Sequence, residues 1–169
     1  SANVGSGTVK ESADWLEYLT ASGSALAAER ARNGHPEPYN VAFWGVGNEV
    51  WGCGGPFTPE EYITELKKFA TFSTNYNTDV NTQYVAVGPD SYDQYSFGYA
   101  EPIMKAWANK TWTWNIHGLS LHNYTRGGWP PVIKATGFDE LQYASVLEET
   151  LRMDKFVTEN RALMDKYDP

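Results

Sequence analysis

The run Phe43-Trp44-Gly45-Val46-Gly47-Asn48-Glu49 constrains the fold of this chain more than any other stretch. It predicts a short buried strand over residues 41–46 that ends in a polar pair, Asn48-Glu49. An apolar strand that delivers a carboxylate at its C-terminal tip is how parallel α/β barrels present a catalytic acid. The neighbouring Asn supplies an amide able to hold a sugar hydroxyl. Gly45 and Gly47 let the backbone bend and pass close to a ligand. The next stretch, Val50-Trp51-Gly52-Cys53-Gly54-Gly55-Pro56, reads as a glycine-rich loop with one large aromatic, suited to the rim of a carbohydrate site. The plainer reading is a strand that ends in a solvated Glu.

The rest of the chain alternates strand and helix. Thr8 and Glu11 form a capping box for a helix that passes Leu16 and stops before Ser22-Gly23-Ser24. A second helical piece covers residues 26–32. Thr58-Pro59-Glu60-Glu61 is a helix start, with Thr as cap and Pro in the first turn. Strands are expected at 84–87, ending at Gly88-Pro89-Asp90, and at 116–121, ending at His122-Asn123-Tyr124. Helices are expected around 99–108 and from 138 to about 166, the last with one break allowed. A long loop, 125–137, contains Gly127-Gly128-Trp129-Pro130-Pro131. Strands that each end in polar or aromatic residues and lead into a helix indicate a parallel sheet with its site at the strand C-termini. Patterning alone leaves two architectures open, a doubly wound open sheet and a segment of a (β/α)8 barrel.

Charge and composition exclude several partners. The net charge is -8, from 13 basic and 21 acidic residues. Nucleic acid and anionic membrane surfaces need clustered Lys and Arg, so neither is expected. A neutral polysaccharide fits. Seven Trp and eleven Tyr are many for 169 residues. Aromatic faces stack on sugar rings, although they also fill cores. A single cysteine, Cys53, allows no internal disulfide. With no Cys or His near it in sequence, it reads as a packing residue. No apolar run approaches about 18 residues, so no membrane-spanning helix is expected. His35, His117 and His122 lack metal-ligand spacing, and no phosphate-binding loop occurs; neither metal nor cofactor is expected.

Four segments, in order, resemble the α-L-arabinofuranosidases of glycoside hydrolase family 51. Phe43 to Glu49, with Trp51-Gly52-Cys53-Gly54-Gly55, resembles the family's acid/base segment. Asn3-Val4-Gly5-Ser6-Gly7-Thr8 resembles its Asn-x-Gly-[Ser/Thr]-Gly-Thr loop. Gly34-His35-Pro36-Glu37-Pro38-Tyr39-Asn40-Val41 resembles the lead-in to the Glu-bearing strand. Leu119-Ser120-Leu121-His122-Asn123-Tyr124 resembles the strand that carries a site His and Tyr. The resemblance runs to about Tyr124 and favours the barrel over the open sheet. It implies a partial (β/α)8 TIM barrel of about three parallel strands with flanking helices. Residues 1–169 would run from the loop after the third barrel strand to the helix before the seventh. A full barrel needs eight strands and about 250 residues.

The resemblance implies a retaining enzyme that removes terminal arabinofuranosyl groups from arabinoxylan or arabinan. Its partner would be an arabinose-containing polysaccharide or oligosaccharide, with self-association of the full-length enzyme left open. Cytoplasmic and secreted locations both stay open. Such chemistry usually needs two carboxyl groups. Glu49 is the implied proton donor. Asn48, Trp51 and Asn3 are implied at the sugar, His122 as a polar contact, and Tyr124 as the hydroxyl that positions the nucleophile. That nucleophile would fall beyond Pro169, so the 169-residue piece alone is expected to be inactive. A proton donor needs a raised pKa, which a second carboxylate and apolar walls can supply, with Trp44 and Trp51 available as walls. Asp90 is tempting as a second carboxylate, but Gly88-Pro89-Asp90 reads as a turn or helix cap; Asp93 and Glu101 are weaker candidates. Two other readings are a non-catalytic carbohydrate-binding module and another barrel glycosidase of the endo-xylanase or glucanase type.

Overall fold

A computed structural model describes residues 1–91, 98–111, 114–127 and 132–169. Asp93 and residues 128–131 of the expected loop lie outside the described residues. The elements in chain order are α1 (Val9–Thr20), α2 (Ala25–Arg32), β1 (Phe43–Val46), α3 (Pro59–Phe72), β2 (Gln83–Asp90), α4 (Ala100–Ala108), β3 (Gly118–His122) and α5 (Glu140–Tyr167). The strands form one parallel sheet in the order β1-β2-β3. This is the expected partial barrel: three parallel strands with flanking helices.

Local chemistry explains where the helices begin. Thr8, Thr58 and Asp139 each close a reciprocal capping box, with Glu11, Glu61 and Gln142 respectively. Ser24 caps α2 from its side chain. The corner between α1 and α2 is held by Arg30, which is 1% exposed. Its guanidinium donates to the carbonyls of Tyr18, Ala21, His35 and Pro36. Planar donors that reach several carbonyls at once make a buried arginine tolerable.

The core lies between the sheet and its helices. Trp44 and Val46 of β1, Ala86 and Val87 of β2, Leu16 of α1, Tyr62, Leu66 and Phe69 of α3, and Ile103 of α4 are all buried there. Alternate residues of a strand point to opposite faces. Phe43, on the other face of β1, is accordingly 71% exposed. Ala2 makes a single parallel bridge to Val46, on the edge of β1 away from β2, with its N–H on the Gly45 carbonyl at 2.7 Å. Tyr62 joins the C-terminal ends of β1 and β2. The ladder between them stops at Val46 and Ala86. Beyond it, the Tyr62 hydroxyl donates to the Val46 carbonyl at 2.5 Å and accepts from the Val87 N–H at 2.8 Å. Burial pushes this phenol's pKa up, so it stays a donor.

Two sequence expectations need correction. β1 ends at Val46 as expected but starts at Phe43, β2 contains the expected 84–87 and runs on from Gln83 to Asp90, and β3 is shifted from 116–121 to Gly118–His122. Gly88-Pro89-Asp90 is no turn or helix cap but the end of β2. The register slips there: Val87 faces Ser120, yet Asp90 faces His122, so β2 uses one more residue than β3. A bulge of this kind accommodates a proline, which has no N–H for the ladder, and increases the local twist. It leaves Asp90 buried beside His122, at 4% exposure. The expected closing helix is present as α5, continuous through 28 residues.

Candidate active site

Glu49 follows β1 in a tight turn whose backbone is unusual. Its φ is 46°, the left-handed region that non-glycine residues occupy at a cost of about 1–2 kcal/mol. Gly47, with φ of 93°, starts the turn. The Glu49 carbonyl accepts the N–H of Gly52 at 2.8 Å and of Gly54 at 2.9 Å, which fixes the strained residue. Gly54 packs so tightly on this turn that a Cβ there would sit 1.8 Å from the Asn48 carbonyl oxygen. The glycine-rich loop is thus the clamp that aims Glu49.

Three side chains converge on the carboxylate. His122, at the end of β3, places Nδ1 2.8 Å from Glu49 Oε1. The Tyr124 hydroxyl donates to the same oxygen at 3.3 Å. Cys53 Sγ donates to Oε2 at 3.2 Å. The Glu49 and His122 side chains are 17% and 18% exposed, so the cluster is shielded yet reachable. Tyr124 lies nearer the surface at 46%.

The electrostatics run opposite to the sequence expectation. Burial pushes the Glu49 carboxyl up, but the Cys53 and His122 hydrogen bonds, the His122 charge and the Tyr124 hydrogen bond together outweigh it. The result is a carboxyl held below the usual carboxylate range. The expected apolar wall is also incomplete. Trp44 is a core residue, 3% exposed, with its ring edge-on to Trp15 at 5.2 Å. In return, Glu49 raises the pKa of its donors: its charge is the leading cause for Tyr124, and its hydrogen bond for Cys53.

Trp51 serves the site indirectly. Its indole N–H donates to the Gly88 carbonyl at 3.0 Å, satisfying the β2 bulge. Its ring meets His122 edge-on at 5.9 Å and 83°. Asn48 is exposed beside Glu49. Asn3 is set differently from the others, with its amide paired to Ser6: its Nδ2 donates to the Ser6 hydroxyl and its Oδ1 accepts the Ser6 N–H. Its loop still abuts the clamp, because a Cβ on Gly5 would lie 2.3 Å from the Gly54 carbonyl oxygen.

Sequence reasoning missed Cys53 and Arg126. Cys53 reads as a packing residue in the sequence, although it stands four residues after Glu49 in a glycine-rich run. The Arg126 guanidinium lies over the Tyr124 ring at 4.6 Å, a contact two residues apart that no motif announced. Among the described residues, no group of His, Cys, Asp and Glu is arranged to hold a metal ion. No described helix is long and apolar enough to cross a membrane. The assembled cluster can hold a carboxylate ionised and aimed.

Comparison with known proteins gives a consistent picture. Residues 5–91 match the model of the alpha-L-arabinofuranosidase 1 domain. The chain is 36% identical, over 99% of its length, to an intracellular exo-alpha-L-arabinofuranosidase of Bacteroides ovatus, of which it covers 31%. Over 37% of its length it is 47% identical to a probable alpha-L-arabinofuranosidase C of Aspergillus flavus, covering 12% of that protein. The crystal structure of the GH51 arabinofuranosidase from Xanthomonas axonopodis pv. citri superposes with a TM-score of 0.87 at 39% identity, over 98% of this chain and 32% of that one. An arabinose complex of the Thermotoga maritima alpha-L-arabinofuranosidase gives 0.71 at 26% identity, over 97% and 30%. The chain therefore spans about a third of the Bacteroides ovatus relative and of both structures.

Proposed function

The chain belongs to the family of the alpha-L-arabinofuranosidase 1 domain, and on that premise we propose that it forms the acid/base side of a retaining α-L-arabinofuranosidase site. The substrate would be a terminal arabinofuranosyl group on arabinan or arabinoxylan. Glu49 is the proton donor to the leaving oxygen, and later the base that activates water. The observation that carries this reading is the convergence of His122, Tyr124 and Cys53 on the Glu49 carboxylate at the C-terminal end of a parallel sheet. Active sites of barrels are built at that end.

Within the barrel, β1, β2 and β3 correspond to the fourth, fifth and sixth strands. The Ala2 bridge to Val46 fits the tail of the third. The nucleophilic carboxylate then comes from the seventh strand, outside residues 1–169. Its charge, about 5 Å from Glu49 in a retaining site, supplies the upward pKa shift that this segment lacks. The Tyr124 hydroxyl, which faces Glu49, would also serve that second carboxylate. Asn48 is free to face a furanose hydroxyl. A hydroxyl contact that strengthens at the transition state raises turnover and not only binding.

The test is the stereochemistry of hydrolysis by the full-length protein. An arabinan oligosaccharide is digested, and the first-formed arabinose is followed by proton NMR before it mutarotates. Initial release of the α-anomer supports the reading. Release of the β-anomer, or no release at all, refutes it.

A further inference from the structure

Glu149 lies on α5, far along the chain from the strand ends, yet it is 8% exposed and faces the turn that follows β3. Its Oε2 accepts two successive backbone N–H groups, those of Arg126 and Gly127, each at 3.0 Å. A carboxylate that receives paired backbone donors fixes their peptide planes more firmly than a neutral acceptor would. Gly127 adopts φ of 66°, and a Cβ there would lie 2.4 Å from Ile133 Cδ1, so the turn is closely packed. Arg152 stands 3.8 Å from the other Glu149 oxygen, the geometry of a loose ion pair. The fixed turn carries the Arg126 guanidinium over the Tyr124 ring, and the Tyr124 hydroxyl meets Glu49 Oε1.

We infer that Glu149 is a positioning residue, which acts through the Arg126-Gly127 turn and Tyr124 to aim the hydroxyl at Glu49. The inference rests on the proposed role of Glu49 for its catalytic consequence, but the mechanical link stands without it. Glu149 grips backbone N–H groups of the turn. It fixes the backbone from which Tyr124 and Arg126 project. Without it, Tyr124 keeps its ring contact with Arg126 but loses the fixed base that holds both.

Two measurements test this. In the full-length enzyme, the Tyr124 phenol is titrated by NMR with ring-labelled tyrosine, and amide exchange is followed at Arg126 and Gly127. In Glu149→Ala, both amides are expected to exchange about tenfold faster, and the phenol to titrate closer to its ordinary value because it has left the Glu49 charge. Glu149→Gln keeps an acceptor oxygen and should restore both readouts in large part. In the full-length enzyme, Glu149→Ala should lower kcat on an arabinan oligosaccharide about tenfold with KM little changed. The double variant Glu149→Ala/Tyr124→Phe should lose no more than the larger single loss, because both act through one hydroxyl. An unchanged Tyr124 titration in Glu149→Ala, or fully additive losses in the double variant, would overturn the inference. If the wild-type enzyme cleaves no arabinofuranoside while the titration shifts as expected, the proposed function fails and the positioning link is upheld.

Discussion

Glu49 and His122 share a 2.8 Å hydrogen bond although they follow strands that do not touch. β2 lies between β1 and β3, so the bond closes the sheet's C-terminal end over the tip of the middle strand. The β2 bulge makes this geometry available, because it turns Asp90 alongside His122 while Trp51 ties off the Gly88 carbonyl. The site is therefore a property of three strand ends and one loop. No single motif contains it.

The Tyr124 hydroxyl is expected to matter for turnover and little for folding. Tyr124→Phe keeps the ring under Arg126 and removes one hydrogen bond to a carboxylate. Steady-state kinetics on an oligosaccharide should show roughly ten- to hundredfold lower kcat, with the melting temperature within a few degrees of wild type. A large loss of stability with normal turnover would make Tyr124 a packing residue.

Cys53 is expected to tune the basic limb of the pH profile. Its thiol favours the ionised form of Glu49, so Cys53→Ala should raise the Glu49 pKa. A proton donor must be protonated to act, so its pKa sets the basic limb of the profile of kcat/KM against pH. That limb should move to higher pH in Cys53→Ala. Cys53→Ser, which keeps a donor, should move it less. A limb that moves to lower pH contradicts the assignment.

Because the Glu49 pKa is depressed in this segment, its contribution to stability has a definite sign. It is present above the ordinary carboxylate pKa of about 4.3 and is lost as pH falls through the depressed native value. Urea unfolding of the 169-residue chain should therefore find Glu49→Gln less stable than wild type near neutrality, with the gap closing in acid. A gap that widens in acid would mean that the native pKa is raised.

Gly54→Ala is expected to dismantle the clamp. The new Cβ would meet backbone rather than a movable side chain, at 1.8 Å from the Asn48 carbonyl oxygen. Relief requires the Asn48-Glu49 turn to open, which releases the left-handed Glu49. Activity should fall by orders of magnitude while far-ultraviolet circular dichroism changes little, since no helix or strand contains the position. Wild-type kinetics in Gly54→Ala would show that the turn does not aim Glu49.

The isolated 169-residue chain is expected to self-associate. Phe43 on the open sheet face, with Leu141 and Leu151 on α5, is more than two-thirds exposed at 71%, 79% and 75%. The edges of the sheet also present unpaired backbone groups to other chains. Light scattering should report association that grows with concentration. A monomer with a steep unfolding transition would contradict this and favour a self-sufficient binding module.

Much of the architecture was legible because it is written in local chemistry. Capping boxes at Thr8 and Thr58, and apolar runs that end in polar tips, depend only on neighbours in sequence. Motif resemblance places His122 and Tyr124 in the site, with Tyr124 assigned to the nucleophile; their hydrogen bonds to Glu49 are legible only in the structure, where a bulge that the string Gly88-Pro89-Asp90 disguises as a turn brings the strand ends together. The direction of the Glu49 pKa could not be read from sequence. It is a balance of burial against three donors, and one of them, Cys53, reaches the carboxylate only through the fold of the glycine loop. Glu149 left no signal because its partners are backbone N–H groups, which every residue except proline carries.

The most direct test of the account is Glu49→Ala in the full-length enzyme, assayed on substrates that differ only in leaving group. An oligosaccharide leaving group needs a proton, whereas an activated aryl group departs without one. Turnover of the oligosaccharide should fall by several orders of magnitude and that of the aryl arabinofuranoside far less. Added azide should restore part of the aryl activity and yield an arabinosyl azide, by attack in the space that the carboxylate vacates. Equal losses on both substrates, with no azide product, would contradict the assignment of Glu49 as the proton donor.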